Sequence, residues 1–382
     1  MNIYGTWNYP TTIFFGINRL DELPKLCKNL KVLHPFLVTD NNILEIEYMQ
    51  RLFTMFERIG LEISVFSGVD ENPTEKHLYN GISSFLSKKH DCVIALGGGS
   101  VIDIGKLIAF AAHQAIDIWE FEDVGDNWTK ASTEDIVPVI AIPTTAGTGS
   151  EVGRASVLTN SCSREKKIIF HPKILPTAVI ADPILTVSMP KHVTAGTGMD
   201  AFAHCLEAFC SPSYHPLSQG IALEGMRLVK IFLYKAFNNG ADLAARSHMM
   251  AAATMGATAF QKGLGAVHAI SHPLGALYNV HHGVTNALLI PSVLRFNKPE
   301  IEEKILTVNR YLEIENGFEG FIKFVTELNK SLLIPPTLEK LGIHNLDTER
   351  VIFGALKDPS MSGNPIKMTS QEVREILLSC LK

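Results

Sequence analysis

The 382-residue sequence lacks the features that would place the protein in a membrane or on a nucleic acid. No apolar run approaches the roughly 20 residues needed to cross a bilayer. Acidic residues outnumber basic ones, 39 to 34, for a formal charge of -5, and there is no stripe of Lys and Arg of the kind that nucleic acids require. The six cysteines, Cys27, Cys92, Cys162, Cys205, Cys210 and Cys380, include no C-x-x-C pair, which argues against both a disulfide frame and a thiolate metal site. Cys205 adjoins His204, but neighbours on a helix point about 100° apart, so it reads as a packing residue. The start of the chain has Asn2 and no basic segment ahead of an apolar block, so no secretory signal is read there and a cytoplasmic location is expected. Internal repeats, low-complexity segments and flexible linkers are also missing.

What is present is a chain long and apolar enough, at 46% hydrophobic, to bury a large core in two or three domains. In the first half short apolar runs alternate with helical patterns: Pro35–Thr39, Ile43–Ile59, Leu61–Phe66, Thr74–Lys88, Asp91–Leu96 and Val101–Ala112. Further strand-like runs follow at Val137–Ile142 and Ala178–Ala181. This alternation predicts βαβ units and a parallel sheet. After Pro190 the pattern is helical, with Ile221–Phe237, Asp242–Phe260 and Glu303–Leu312 as clear examples. The expected division is an α/β domain over residues 1–188 and an all-α domain over 189–382. The Ala- and Met-rich helix Asp242–Phe260 is read as close-packed core.

Chemistry concentrates in two clusters. Gly265–His282 sets four histidines, His268, His272, His281 and His282, among apolar and small residues, and Thr194–Cys210 carries Asp200 and His204 four apart, on one helical face. A first-row divalent metal takes neutral imidazoles with a carboxylate and can leave a position open for substrate. Spacing pairs His268 with His272, leaves His281 and His282 undecided, and meets an obstacle in Pro273, which disfavours helix at His272. The competing explanation is buried histidines bonded to backbone carbonyls, which fits one such residue better than six ligand-type residues in two clusters.

The first half carries three turns suited to a dinucleotide. Asp91–Lys106 runs from an apolar strand through Gly97, Gly98 and Gly99 into a helix opened by Ser100, which lets backbone N–H groups approach a pyrophosphate. It is not G-x-G-x-x-G. Ile142–Glu151, rich in Thr and Gly, follows a second strand, and Asp40 ends a third, where a carboxylate accepts from ribose hydroxyls and repels the 2′-phosphate of NADP.

Together these pieces resemble the iron-containing (group III) alcohol dehydrogenase family over nearly the whole chain: Pro10-Thr11 with Phe15-Gly16, Gly97–Ser100 with Asp103 and Lys106, Pro143–Glu151, Asp182-Pro183 with Leu185-Thr186, Gly198–Asp200 with His204 and Glu207, and Gly265–Gly283. The resemblance implies metal ligation by Asp200, His204, His268 and His282, with His272 beside the substrate. It also implies a cofactor site lined by Asn72, Gly98, Gly99, Ser100, Asp103, Thr144, Thr145, Thr148, Val157, Lys166 and Leu185, to which Asp40 is added from its own reading. The implied fold is a dehydroquinate synthase-like dinucleotide-binding domain with a helical domain, and the site in the cleft between them. Gly153 and Gly105 stand where Thr and Ala are common, and His281 where Pro is frequent.

The expected activity is metal-dependent hydride transfer between NAD, in preference to NADP, and a primary alcohol, small diol or hydroxy acid, with Fe2+ or Zn2+ as the ion. His272 would be the catalytic residue, relaying the alcohol proton. Alternatives are a dehydroquinate synthase-like lyase that also uses NAD and a metal, and a non-catalytic nicotinamide-binding protein. Lys262 and Arg154 adjoin the site motifs and suggest a hold on an anionic substrate tail. The expected partners are a small-molecule alcohol or aldehyde and, by the resemblance, further copies of the chain in a homo-dimer or larger assembly.

Overall fold

The computed structural model describes Tyr9 and Thr11–Lys382; Pro10, part of one motif above, and residues 1–8 of the first expected domain lie outside the described residues. The chain forms two compact units, one holding residues 11–145 with Ser150–Val187, the other holding Tyr9, Ala146–Gly149 and Ser188–Lys382.

The first unit runs β1 (Thr12–Phe15), α1 (Leu23–Asn29), β2 (Pro35–Val38), α2 (Asn41–Leu44), α3 (Glu47–Arg58), β3 (Ser64–Phe66), α4 (Glu75–Leu86), β4 (Cys92–Gly97), α5 (Gly99–Ala111), β5 (Val139–Pro143), β6 (Ala155–Asn160), β7 (Glu165–Phe170) and β8 (Ala178–Ala181). Six strands form a parallel sheet in the order β1-β8-β5-β4-β2-β3. The central strands read as unbroken apolar runs because both faces are covered. Phe36, Val38, Val93, Ala95, Val139 and Ala141 enter one core, and Leu37, Ile94, Leu96, Ile140 and Ile142 the other. Gly105 places α5 hard against β4: a Cβ there would lie 2.6 Å from that of Ala95, so the Ala common at this position would have to push the helix from the strand.

Two differences from the expected elements matter. Ile43–Ile59 is not one helix; Asp40 caps α2, Ile46 turns extended, and α3 starts afresh. The antiparallel hairpin β6–β7 is not legible in the sequence, because its strands mix Lys, Glu, Ser and Thr with apolar residues and break the parallel-sheet pattern.

The second unit consists of α6 (Lys191–Cys210), α7 (Pro216–Asn238), α8 (Leu243–Ala259), α9 (Ala266–Tyr278), α10 (His282–Leu312), α11 (Gly317–Ser331), α12 (Thr348–Lys357) and α13 (Ser370–Ser379), with no strand among its described residues. Helix α6 is buried along nearly its whole length by α7, α8 and α10, which explains its lack of a polar face. Glu303–Leu312 is only the last third of α10, which continues through Pro291 and Pro299. No helix among the described residues is long and apolar enough to cross a membrane.

Candidate active site

Four acidic and imidazole groups converge inside the helical unit. Asp200 and His204 sit one turn apart on α6, His268 near the start of α9, and His282 at the first position of α10. Asp200 Oδ1 lies 3.8 Å from His204 Nε2, 3.6 Å from His268 Nε2 and 3.4 Å from His282 Nε2. A tetrahedral first-row cation with bonds of about 2.1 Å keeps its ligand atoms about 3.4 Å apart, close to these separations from Asp200, and the ligand atoms of Asp200, His204 and His268 all lie within 4.8 Å of one another. Gly283 permits the approach: a Cβ there would meet the Gly196 carbonyl oxygen at 2.0 Å, so only glycine lets α10 lie this close to α6. Of the two histidines that spacing left undecided, His282 faces Asp200, while the exposed His281 caps α10 with its ring against Gly196.

The far sides of two imidazoles are also engaged. Glu207, one turn beyond His204, lies 2.5 Å from His268 Nδ1 through Oε2 and accepts from the Val267 backbone N–H at 2.7 Å through Oε1. Ser271 Oγ lies 3.0 Å from His282 Nδ1. Such partners fix a ligating imidazole's tautomer and direct the other nitrogen inward. Burial raises the Asp200 carboxyl, but the facing His204, His282 and His268 outweigh this and hold it well below the usual carboxylate range. His204 is pushed down to about 4 by burial, against the pull of Asp200. Burial also lowers His268, but Glu207 and Asp200 overcome it and push it up to about 9, so a cation entering here displaces a proton.

His272 stands apart from this set. Its ring stacks on that of His282, centroids 5.1 Å apart, and its Nδ1 lies 2.7 Å from Asp358 Oδ2. Asp358 also accepts from the Ser360 N–H at 2.9 Å. Burial raises the Asp358 carboxyl, yet the contacts with His272 and Ser360 bring it below the ordinary range. Nothing in the sequence links residues 86 apart, so Asp358 was missed. Although Pro273 disfavours helix at His272, α9 holds both residues, and the proline ring packs where α12 offers Gly354 instead of a side chain.

In the sheet unit, hydrogen bonds draw together several residues of the expected cofactor set. Gly98 caps α5, presenting the N–H groups of its first turn, and Ser100 Oγ donates to the Glu71 carbonyl at 2.5 Å, tying the segment with Asn72 to that turn. Thr159 N–H donates to the Pro73 carbonyl at 2.9 Å, which brings in the hairpin bearing Val157 and Lys166. Asp103 accepts from Ser150 Oγ at 2.5 Å and Val157 N–H at 3.0 Å. Lys106, fully buried, lies 3.3 Å from Asp103 and donates to the Ser150 carbonyl at 2.9 Å and the Ala155 carbonyl at 2.5 Å. Burial pulls this lysine below its ordinary range, with Asp103 acting in opposition. Asp103 therefore holds the hairpin, a task its motif did not reveal.

Other members of the set are placed differently. Asp40, at the end of β2, accepts from the Ile43 N–H at 3.0 Å as the cap of α2. Thr144 N–H donates to the Gly97 carbonyl at 3.0 Å, and Thr145 lies against Gly98. Leu185 is buried in the second sheet core, and Thr148 belongs to the helical unit. Lys262 corrects the idea of an anion hold: it is buried, and its ammonium donates to the carbonyls of Ala208, at 2.9 Å, Phe209, at 3.2 Å, and Ser211, closing the C-terminus of α6. Arg154 lies 5.6 Å over the Phe170 ring.

Comparison with known proteins bears on this arrangement. The model of the family described as iron-containing alcohol dehydrogenase matches residues 10–183, and that of its C-terminal domain matches residues 194–381. The chain belongs to the iron-containing alcohol dehydrogenase family. It is 34% identical over 379 residues to a 4-hydroxybutyrate dehydrogenase of Cupriavidus necator, covering 97% of this chain and 98% of that one. It is also 34% identical to a 1,3-propanediol dehydrogenase of Citrobacter freundii, covering 96% of both. A crystal structure of 1,3-propanediol oxidoreductase superposes with a TM-score of 0.92 at 33% identity, covering 99% of this chain and 100% of that one. As a member of the iron-containing alcohol dehydrogenases, the protein is an oxidoreductase acting on CH–OH donors, with a metal and a nicotinamide cofactor and a small-molecule substrate. The lyase and non-catalytic alternatives are set aside.

Proposed function

We propose that this iron-containing alcohol dehydrogenase interconverts a primary alcohol, small diol or hydroxy acid and its aldehyde with NAD, using Fe2+ held by Asp200, His204, His268 and His282. The observation that carries the reading is the convergence of these four groups, with Asp200 Oδ1 within 3.4–3.8 Å of three imidazole nitrogens. When bound, the ion supplies Lewis acidity toward the alcohol oxygen and the nicotinamide takes the hydride. Glu207 and Ser271 orient His268 and His282 toward the ion from behind. His272, its Nδ1 held by Asp358, keeps Nε2 for moving the alcohol proton. Gly98, Gly99 and Ser100 offer backbone and hydroxyl donors to the cofactor phosphates, alongside Asn72, Asp103, Thr144, Thr145, Thr148, Val157, Lys166 and Leu185, while the charge of Asp40 favours NAD over NADP.

The functional division we assign is a cofactor half, residues 1–188, and a metal half, residues 189–382. The substrate range follows the relatives named for 1,3-propanediol and 4-hydroxybutyrate. We further assign the enzyme to the cytoplasm as a homo-dimer or larger homo-oligomer. The test is protein reconstituted separately with Fe2+ and Zn2+ and assayed with 1,3-propanediol, 4-hydroxybutyrate and butanol against NAD and NADP. NADH should accumulate most strongly in the iron form. Equal turnover with zinc would overturn the choice of ion, and no turnover with either ion would overturn the function.

A further inference from the structure

Inside the cradle a fifth side chain meets the side of the ligands that would face the ion. Asn286 lies on α10 one turn beyond His282 and is wholly buried. Its Nδ2 donates to Asp200 Oδ1 at 2.8 Å and lies 3.1 Å from His282 Nε2 and 3.2 Å from His268 Nε2. These are the three atoms whose lone pairs an entering cation would use. Glu207 and Ser271 hold the outer nitrogens of the same two imidazoles, so the cradle is braced on both sides.

The other end of the amide makes the arrangement informative. Asn286 Oδ1 is buried with no hydrogen-bond partner. A buried carbonyl without a donor is unfavourable, and an apolar side chain would avoid that cost. Packing alone therefore gives no reason for an amide here. Its two N–H groups do: without a donor between them, a carboxylate and an imidazole lone pair held 3.4 Å apart repel.

We propose that Asn286 is a positioning residue for the metal centre, its amide N–H groups holding Asp200 and His282 convergent before the ion enters and yielding those lone pairs to it. This rests on the metal assignment given above. Its consequence is a pre-set geometry: ligands already close to their final places lose little freedom on binding, which strengthens affinity and narrows the coordination geometry.

The experiment uses Co2+ as a probe of the full-length protein, with affinity read by competition against a chelating dye and geometry by the visible d–d absorption. Wild type should bind one Co2+ per chain, and Asp200→Ala should lose that binding. Asn286→Leu, which keeps the branching of the amide without its donors, and Asn286→Ala should each bind roughly 10- to 100-fold more weakly, with an altered band. Asn286→Leu within about threefold of wild type, with the same spectrum, overturns the role of Asn286 and leaves the metal assignment standing. Absence of Co2+ binding in wild type, or its survival in Asp200→Ala, overturns the assignment and this inference with it.

Should both variants fail to fold, wild type labelled with 15N at asparagine decides the matter. One side-chain NH2 pair should be protected from solvent exchange in metal-free protein and be broadened most by Co2+. If the pair that Co2+ broadens most exchanges as fast as a surface amide, the inference fails.

Discussion

The two halves of the chain use their functional residues in opposite ways. In the helical unit Asp200, His204 and His268 bring side-chain donors together, His282 faces the same Asp200 oxygen, and Glu207, Ser271 and Asn286 bond to members of this group. In the sheet unit several residues expected to meet a cofactor hold the backbone: Asp103, with Lys106 beside it, binds the hairpin, Asp40 caps a helix, and Gly98 starts one. A metal is recognised by side-chain lone pairs, whereas phosphates are recognised by N–H groups that a correctly shaped backbone already provides. Substitutions should accordingly fail differently in the two units.

The largest effect is expected from His268→Ala, which should abolish metal binding and alcohol oxidation together; metal analysis beside an NADH assay checks this, and full turnover without metal would erase the contrast. Next, His272→Ala should lower kcat by roughly 10²- to 10⁴-fold while the bound metal stays at wild-type level. Asp358→Asn should fall between that variant and wild type, because it weakens the hold on Nδ1 without removing the imidazole.

Lys106→Met tests the sheet unit. It leaves Asp103 and buried carbonyls without their cation, and should cost about 3–5 kcal/mol of stability in denaturant titration. Metal uptake by the folded fraction should remain that of wild type; a large loss of metal affinity would mean that the units do not divide the work as described. The smallest effect belongs to Asp40→Asn. Asparagine caps a helix as well as aspartate does, so α2 should persist while the negative charge is removed. The ratio of NADP to NAD turnover should rise, and an unchanged ratio would leave Asp40 with its capping role alone.

Much of this was legible in the sequence. The i,i+4 spacing of Asp200 and His204, the histidine-rich run from Gly265 and the strand-to-glycine turn before Ser100 all depend on local periodicity, which sequence records directly. Family resemblance added Glu207 and selected His282 over His281. Lys262 was misplaced for the opposite reason: it adjoins the metal segment along the chain, but its ammonium reaches back to the end of α6. Pro273 misled because the packing of α12 against it comes from a distant part of the chain.

The sequence by itself determined the α/β and helical halves, the ligand types and the family, because apolar periodicity and motif spacing are properties of neighbours. Only the tertiary structure decided that Asp358 holds His272, that Asn286 enters the cradle, and that Asp103 and Lys106 secure a hairpin. Each of these depends on a buried polar group finding its partner across tens of residues, and burial exists only once the helices and strands have packed.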